Sequence, residues 1–393
     1  MLIPGRHLHL SPSTVLNASR MLKVSESLVR HGFAEQVVLV GLAGPGLPSE
    51  EILDACRRVV RFSPRFYRRL PRGKSPAFFA EWYWAVARYA AGSPIGAVHS
   101  NSLFDLPAAI WLKLRHGCPV VYDAHELETE QNSLAPSDRI FARLAERFLI
   151  RWVDEIVVVS NSIAEWYRRT YSRRVTVVRN KPTKLAATPV STASLRERLQ
   201  IAGGMVFLSH GALQNGRAVS ILIDAFAQVS LNRHLVFVGF GPLVGQIRAA
   251  AQRFPNIHYL EAVPPGQIVS LAATADVGFS LIENTCLSYF YCLPNKLFEC
   301  EAAGLPVIVS DFPEMAAEVE HWGNGWKVQP SVEAVRDLVN SISIEDIRQR
   351  AAASSAAASE ASWDKEEPAL VEVYSRLAGR RGLESRLRRS DTA

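Results

Sequence analysis

SYFYCLPNKLFECEAAGLPVIVSD, residues 288–311, decides the fold. Pro294 has no amide donor and so suits the first turn of a helix, where that donor would go unused. The residues after it predict a helix from Asn295 to Ala303, closed by Gly304 in the manner of a C-terminal glycine cap. PVIVS (306–310), apolar and β-branched, then reads as a buried strand. The helix opens just after a loop with its first amides unpaired, and Lys296 stands in that first turn. A helix N-terminus with a lysine suits a diphosphate. Glu299 follows one turn on, on the side of Asn295 and Lys296, and can accept hydrogen bonds from ribose hydroxyls. Taken alone, the stretch reads more readily as a capped surface helix with a Lys–Glu pair.

Outward from this unit the same alternation fills the chain. RHLHL (6–10), QVVLVGL (36–42), PVVYD (119–123), EIVVVS (155–160) and RVTVVRN (174–180) read as strands, separated by helices over 16–31, 76–91, 106–116, 138–152 and 161–169. KPTKLAATPVSTAS (181–194) breaks the pattern and reads as a linker. The alternation then restarts with MVFLSHG (205–211), HLVFVGFG (234–241) and further short strands. Strands alternating with helices predict parallel sheets covered on both faces. The expectation is an α/β chain of two Rossmann-like parallel-sheet domains facing a central cleft. The domains are an N-terminal one over 1–182, a linker over 183–203 and a C-terminal one over 204–361. A helix over 362–378, crossing back to the first domain, and a basic tail over 379–393 complete the chain. Ligand sites in such sheets lie at the C-terminal ends of the strands. GFGPLVG (239–245) is a weak dinucleotide fingerprint, because its third glycine comes one residue late.

Composition narrows the class. Of 393 residues 48% are hydrophobic and 21% charged, which excludes a disordered chain. No run approaches the roughly 18 apolar residues of a spanning helix. The opening MLIPGRHLHLSPST has no apolar signal core, which predicts a cytoplasmic protein. Five scattered cysteines without a CxxC pair argue against a disulfide framework or a zinc site.

The stretch 288–311 resembles the donor-binding region of glycosyltransferase family 4, the retaining GT-B glycosyltransferases. It is most similar to the bacterial branch with a Y-x-LPNK-LFE-x-x-AAGLPV pattern. HGALQNGR (210–217), GFGPL (239–243), VVYDAHELETE (120–130), EIVVVSNSIAEWY (155–167) and WDKEEPALVEVYSRL (363–377) fit it in the same order. The resemblance implies a nucleotide-sugar donor held by the second domain. Arg217 and Lys296 would neutralise its diphosphate, and Glu299 would take the ribose hydroxyls. Gly211, Gly216, Gly239, Gly241, Asn295 and Leu297 would complete the donor site. In the first domain His125 would serve the transferred sugar and the acceptor, with Asp123 and Glu126 beside it. The bland alternative for His125 is a structural histidine at a strand end. Catalysis would rest on His125, Arg217 and Lys296, with no metal and no cofactor, since there is no DxD motif. Two departures stand out: Tyr291 replaces a common glutamate, and Ala212 an arginine whose charge Lys296 would supply.

Formal net charge is +6, and part of it is concentrated. Arg57, Arg58, Arg61, Arg65, Arg68, Arg69, Arg72 and Lys74 form a run without acids, interleaved with Phe62, Phe66 and Tyr67. Arg139, Arg143, Arg147 and Arg151 recur every fourth residue along one helix face. Basic and aromatic residues together suit an anionic membrane surface, or a solvated basic face. No nucleic-acid motif accompanies them. The expected protein transfers a sugar, with retention, from a UDP-sugar to a lipid-linked saccharide. It would work peripherally at the inner face of a bacterial membrane, in surface or exopolysaccharide biosynthesis. The alternatives are a GT-B-fold sugar-nucleotide epimerase and a non-catalytic partner subunit.

Overall fold

The computed structural model describes residues 2–16, 18–63, 76–183 and 193–390, without the side chains of 76 and 381–390. It divides into two compact units, Met1–Val178 with Glu367–Ala393, and Arg179–Glu366. Each is a parallel α/β sheet with helices.

The first unit carries β1 (Arg6–Leu10), β2 (Val37–Leu42), β3 (Glu50–Ile52) and β4 (Arg57–Phe62). It continues with β5 (Ile95–Ser100), β6 (Val120–Ala124), β7 (Glu155–Val158) and β8 (Val175–Val177). Its helices are α1 (Ser19–Arg30), α2 (Pro76–Ala90), α3 (Leu106–His116), α4 (Pro136–Leu149) and α5 (Asn161–Tyr171). The sheet order is β3-β4-β2-β1-β5-β6-β7-β8, parallel except for the β3–β4 pair. Every residue of β2, β5 and β6 is buried, as in a parallel sheet covered on both faces; β5 is a strand that the sequence reading did not single out. The chain leaves β1 in one direction and returns through β5 in the other, so the switch point lies between those strands.

The second unit carries β9 (Met205–Ala212), β10 (Arg233–Phe240), β11 (Ile257–Glu261), β12 (Val277–Ser280), β13 (Val307–Ser310) and β14 (Gly325–Val328). Its first helices are α6 (Leu195–Leu199), α7 (Val219–Phe226), α8 (Val244–Arg253), α9 (Pro265–Ala272) and α10 (Leu287–Phe290). Then come α11 (Asn295–Ala302), α12 (Pro313–Trp322), α13 (Val332–Ser341) and α14 (Ile344–Glu360). The order β11-β10-β9-β12-β13-β14 is parallel throughout and puts its switch point between β9 and β12. Alternate residues feed opposite cores. Phe207, Phe237 and Phe279 pack on one face with Phe226, while Leu208, Val236 and Val309 pack on the other with Leu297 and Phe298. Each such side chain contributes about 1.5–3 kcal/mol by leaving water.

The last helix, α15 (Trp363–Ser390), returns to the first unit. There Tyr374 packs against Phe33, and Arg376 pairs with Glu155 at 2.7 Å.

Three expectations need correction. The tail expected over 379–393 is helical as far as Ser390, since Leu, Glu, Ser and Arg outweigh Gly379 and Gly382. The stretch expected as linker over 183–203 holds α6, nucleated by a capping box between Ser194 and Glu197; residues 184–192 lie outside the described set. The basic run begins inside the sheet. Arg57, Arg58 and Arg61 belong to β4, and the hairpin strand β3 and the turn after it bring acids against them. Arg57 pairs with Asp54, Arg58 with Glu50, and Arg61, its side chain only 2% exposed, with Glu51. Arg61 is therefore no part of a membrane surface. Arg65, Arg68, Arg69, Arg72 and Lys74 lie outside the described residues.

Candidate active site

In the second unit β9 delivers His210 and Gly211 at its C-terminal end, beside the switch point. Gly211 has φ +101°, and the space a Cβ would take there is open. On the neighbouring strand a Cβ at Gly239 would stand 1.9 Å from the Gly211 carbonyl oxygen, so only glycine permits this approach. Gly241 is pressed the same way against the Leu213 carbonyl. The loop after β9 is fastened by Glu283, whose carboxylate accepts from the Ala218 amide at 3.0 Å and whose amide donates to the Gly216 carbonyl. Arg217 is carried on this loop. Its guanidinium lies 5.0 Å from the centre of the Tyr289 ring, and its Nε is buried with no partner among the described residues.

α11 faces this loop with Lys296 in its first turn, and Pro294 is the residue before the helix rather than its first member. The Lys296 ammonium is pushed down to about 8, by burial first and by the Arg217 charge second. Glu299 is held by His210, whose Nε2 stands 2.9 Å from its Oε2. Asn295 is exposed and accepts from Asn180 Nδ2 at 3.0 Å. Leu297 is fully buried in the core, so its side chain lines no donor site; helical periodicity turns it toward the sheet. His210 and Glu283 carried no assignment from the sequence, although HGALQNGR holds the histidine. Two cations crowded into partial burial repel one another, and an anion would relieve both.

In the first unit, β6 ends in Asp123, with His125 and Glu126 following. Asp123 is fully buried. Arg20 of α1 donates to both its oxygens at 2.8 Å, and His99 Nε2 lies 3.1 Å away. Burial alone would raise this carboxyl, but Arg20, His125 and His99 hold it well below the carboxylate range. His99 is pushed down by burial and is neutral, so Nε2 donates to Asp123 and Nδ1 accepts from the Tyr374 hydroxyl at 2.9 Å. His9 stacks on His99 at 4.6 Å, both its ring nitrogens buried and without partners among the described residues. Asp123, expected from sequence beside His125, has both carboxylate oxygens engaged by Arg20 and His99. His125, one-third exposed, reaches within 3.5 Å of Asp123, yet its buried Nε2 makes no hydrogen bond. Glu126 is half-buried. Glu128, which sequence reading passed over, is buried and pushed well above the carboxylate range by burial and then by Glu126.

Comparison with known proteins fits this geometry. Residues 18–181 match the family model "Glycosyl transferase 4-like domain", and residues 204–343 match "Glycosyl transferases group 1". The uncharacterized glycosyltransferase YqgM of Bacillus subtilis (strain 168) is 25% identical over 150 residues, 37% of this chain and 40% of that one. The chain thus matches less than half the length of this curated relative. Sucrose-phosphate synthase from Thermosynechococcus elongatus superposes with a TM-score of 0.71 at 16% identity, covering 98% of this chain and 99% of that one. Anabaena Alr3699/HepE, solved in complex with UDP-glucose, gives 0.68 at 18% identity over 97% and 100%. Both units are glycosyltransferase domains, and the chain belongs to the glycosyltransferases of the GT-B fold.

Proposed function

We propose that this chain is a retaining, metal-independent glycosyltransferase that moves a sugar from a UDP-sugar to a lipid-linked saccharide in bacterial surface or exopolysaccharide biosynthesis. The observation that carries the donor half is the half-buried Arg217–Lys296 pair at the N-terminus of α11. A diphosphate there would stabilise the protonated Lys296 and accept from the buried Arg217 Nε. As the glycosidic bond lengthens, negative charge grows on the leaving nucleoside diphosphate. Arg217, Lys296 and the helix amides would stabilise it without moving. His210 orients Glu299 for the ribose hydroxyls. The UDP-glucose complex of the Anabaena neighbour supports uridine as the base. His125 is assigned to the transferred sugar and the acceptor, with Asp123 as the charge behind it.

A donor screen tests this reading. Thermal shift and hydrolysis are measured with UDP-, GDP- and dTDP-sugars on the full chain. Stabilisation by UDP-sugars, lost in Lys296→Met, is the expected result. No stabilisation by any nucleotide would overturn it.

A further inference from the structure

α4 is built inside out. A helix on a sheet ordinarily buries its apolar stripe and shows its charges. α4 buries only Ala142 and Glu146. The Glu146 carboxylate accepts hydroxyl hydrogen bonds from Tyr122 at 2.8 Å, Tyr167 at 2.6 Å and Tyr171 at 2.7 Å, and these fix the helix on its polar side. Its outer face is therefore apolar: Ile140, Phe141, Leu144 and Phe148 are 61%, 74%, 63% and 60% exposed. At helical spacing these four form one stripe. Trp152 follows at the same spacing, and α3, which packs beside α4, also carries exposed Trp111 and Leu114. Monomeric soluble surfaces rarely gather so many large apolar side chains in one patch.

The rim of the stripe is basic. Arg143 and Arg139 are tied to Glu130, but no carboxylate among the described residues pairs with Arg147 or Arg151. Arg147 and Arg151 line an open pocket of about 290 Å³ with Ile150, Thr170, Tyr171 and Arg173. Three guanidinium groups around one hollow suit a phosphate, and the hollow opens at the edge of the apolar stripe. A second copy of the chain meeting this face across a two-fold axis would oppose the same arginines. A lipid surface has the complementary order, with anionic headgroups above acyl chains.

From this we infer that the outer face of α4 inserts into an anionic bilayer, Ile140, Phe141, Leu144 and Phe148 entering the acyl boundary while Arg147, Arg151 and Arg173 hold a lipid headgroup phosphate. The inference rests on the proposed lipid-linked acceptor for its meaning, and it places a membrane contact on α4, apart from the Arg57 run. The full chain is sedimented with vesicles of phosphatidylcholine alone and of phosphatidylcholine with phosphatidylglycerol. Wild type is expected to bind the anionic vesicles, and salt to weaken that binding. Phe141→Glu with Phe148→Glu, and separately Arg147→Glu with Arg151→Glu, should each lower partition about tenfold or more. Unfolding midpoint and UDP affinity should stay unchanged. Quenching of the wild-type tryptophans by brominated acyl chains needs no variant and should be strong. Equal partition of both variants and wild type overturns the inference, as does absence of quenching. A wild-type dimer in light scattering that the Phe pair disrupts, without vesicle binding, assigns the face to a second copy and also overturns it. Failure of UDP to bind wild type would break the donor reading alone, because vesicle partition is read without nucleotide.

Discussion

The two units each bury charge, and they do so in opposite ways. Around Asp123 the protein completes its own circuit: Arg20 neutralises the carboxylate, His99 bonds it, and Tyr374 bonds His99. Around Lys296 the circuit is open: two cations share partial burial, one ammonium is depressed, and the Arg217 Nε has no partner among the described residues. A closed cluster contributes to folding and orientation. An open one costs stability until an anion arrives, which is how a binding site differs from a structural ion pair.

The largest expected effect breaks the closed cluster. Arg20→Met leaves the Asp123 carboxylate buried without its cation and should cost about 3–5 kcal/mol of stability. Urea unfolding checks this, and an unchanged midpoint would mean that Asp123 is not held by Arg20. The open cluster should respond the other way. Lys296→Met is expected to weaken UDP binding by about 1.5–3 kcal/mol, the worth of a hydrogen bond to a charged group. The same substitution should leave the ligand-free protein as stable as wild type or more so at neutral pH. The folded-state value lies below the ordinary lysine value, so protonated Lys296 costs stability below about 8 and the cost fades as pH rises past it. Calorimetry and thermal unfolding on one sample decide both.

The pH dependence of binding sharpens the contrast. UDP must find Lys296 protonated, so affinity should be flat below about 8 and fall above it. The fall should be about tenfold per pH unit while free and bound forms differ by one proton. Lys296→Arg should remove that slope; a slope that persists would belong to another group. The smallest effect is at the far end of the closed cluster. Tyr374→Phe leaves His99 Nδ1 without its donor and should cost about 1 kcal/mol in urea unfolding, with UDP affinity unchanged.

The helix Asn295–Ala302, the glycine after it and the strand Val307–Ser310 were legible in the sequence, because capping, helical period and β-branched runs act over a few residues. Both parallel sheets followed from the same alternation. Lys296 and Glu299 could be put on one helix face by counting. Their state could not be read this way. Glu299 meets His210 across 89 residues, Asp123 meets Arg20 across 103, and His99 meets Tyr374 across 275. Burial and charge partners come from which strands and helices the topology makes neighbours, and no local pattern encodes that.

Two surface readings changed for the same reason. Arg57, Arg58 and Arg61 looked unpaired because their acids, Asp54, Glu50 and Glu51, precede them and return only through the β3–β4 hairpin. α4 looked like a helix with an arginine edge, yet which face turns inward was decided by Tyr122, Tyr167 and Tyr171 waiting for Glu146. Sequence by itself determined most of the elements, though not β3, β4 and β5, and the chemistry available at the strand ends, since these depend on short-range propensity and hydrophobic period. Tertiary structure alone decided which charges are neutralised, which are left open and which apolar face meets solvent, since each depends on desolvation by partners distant in the chain.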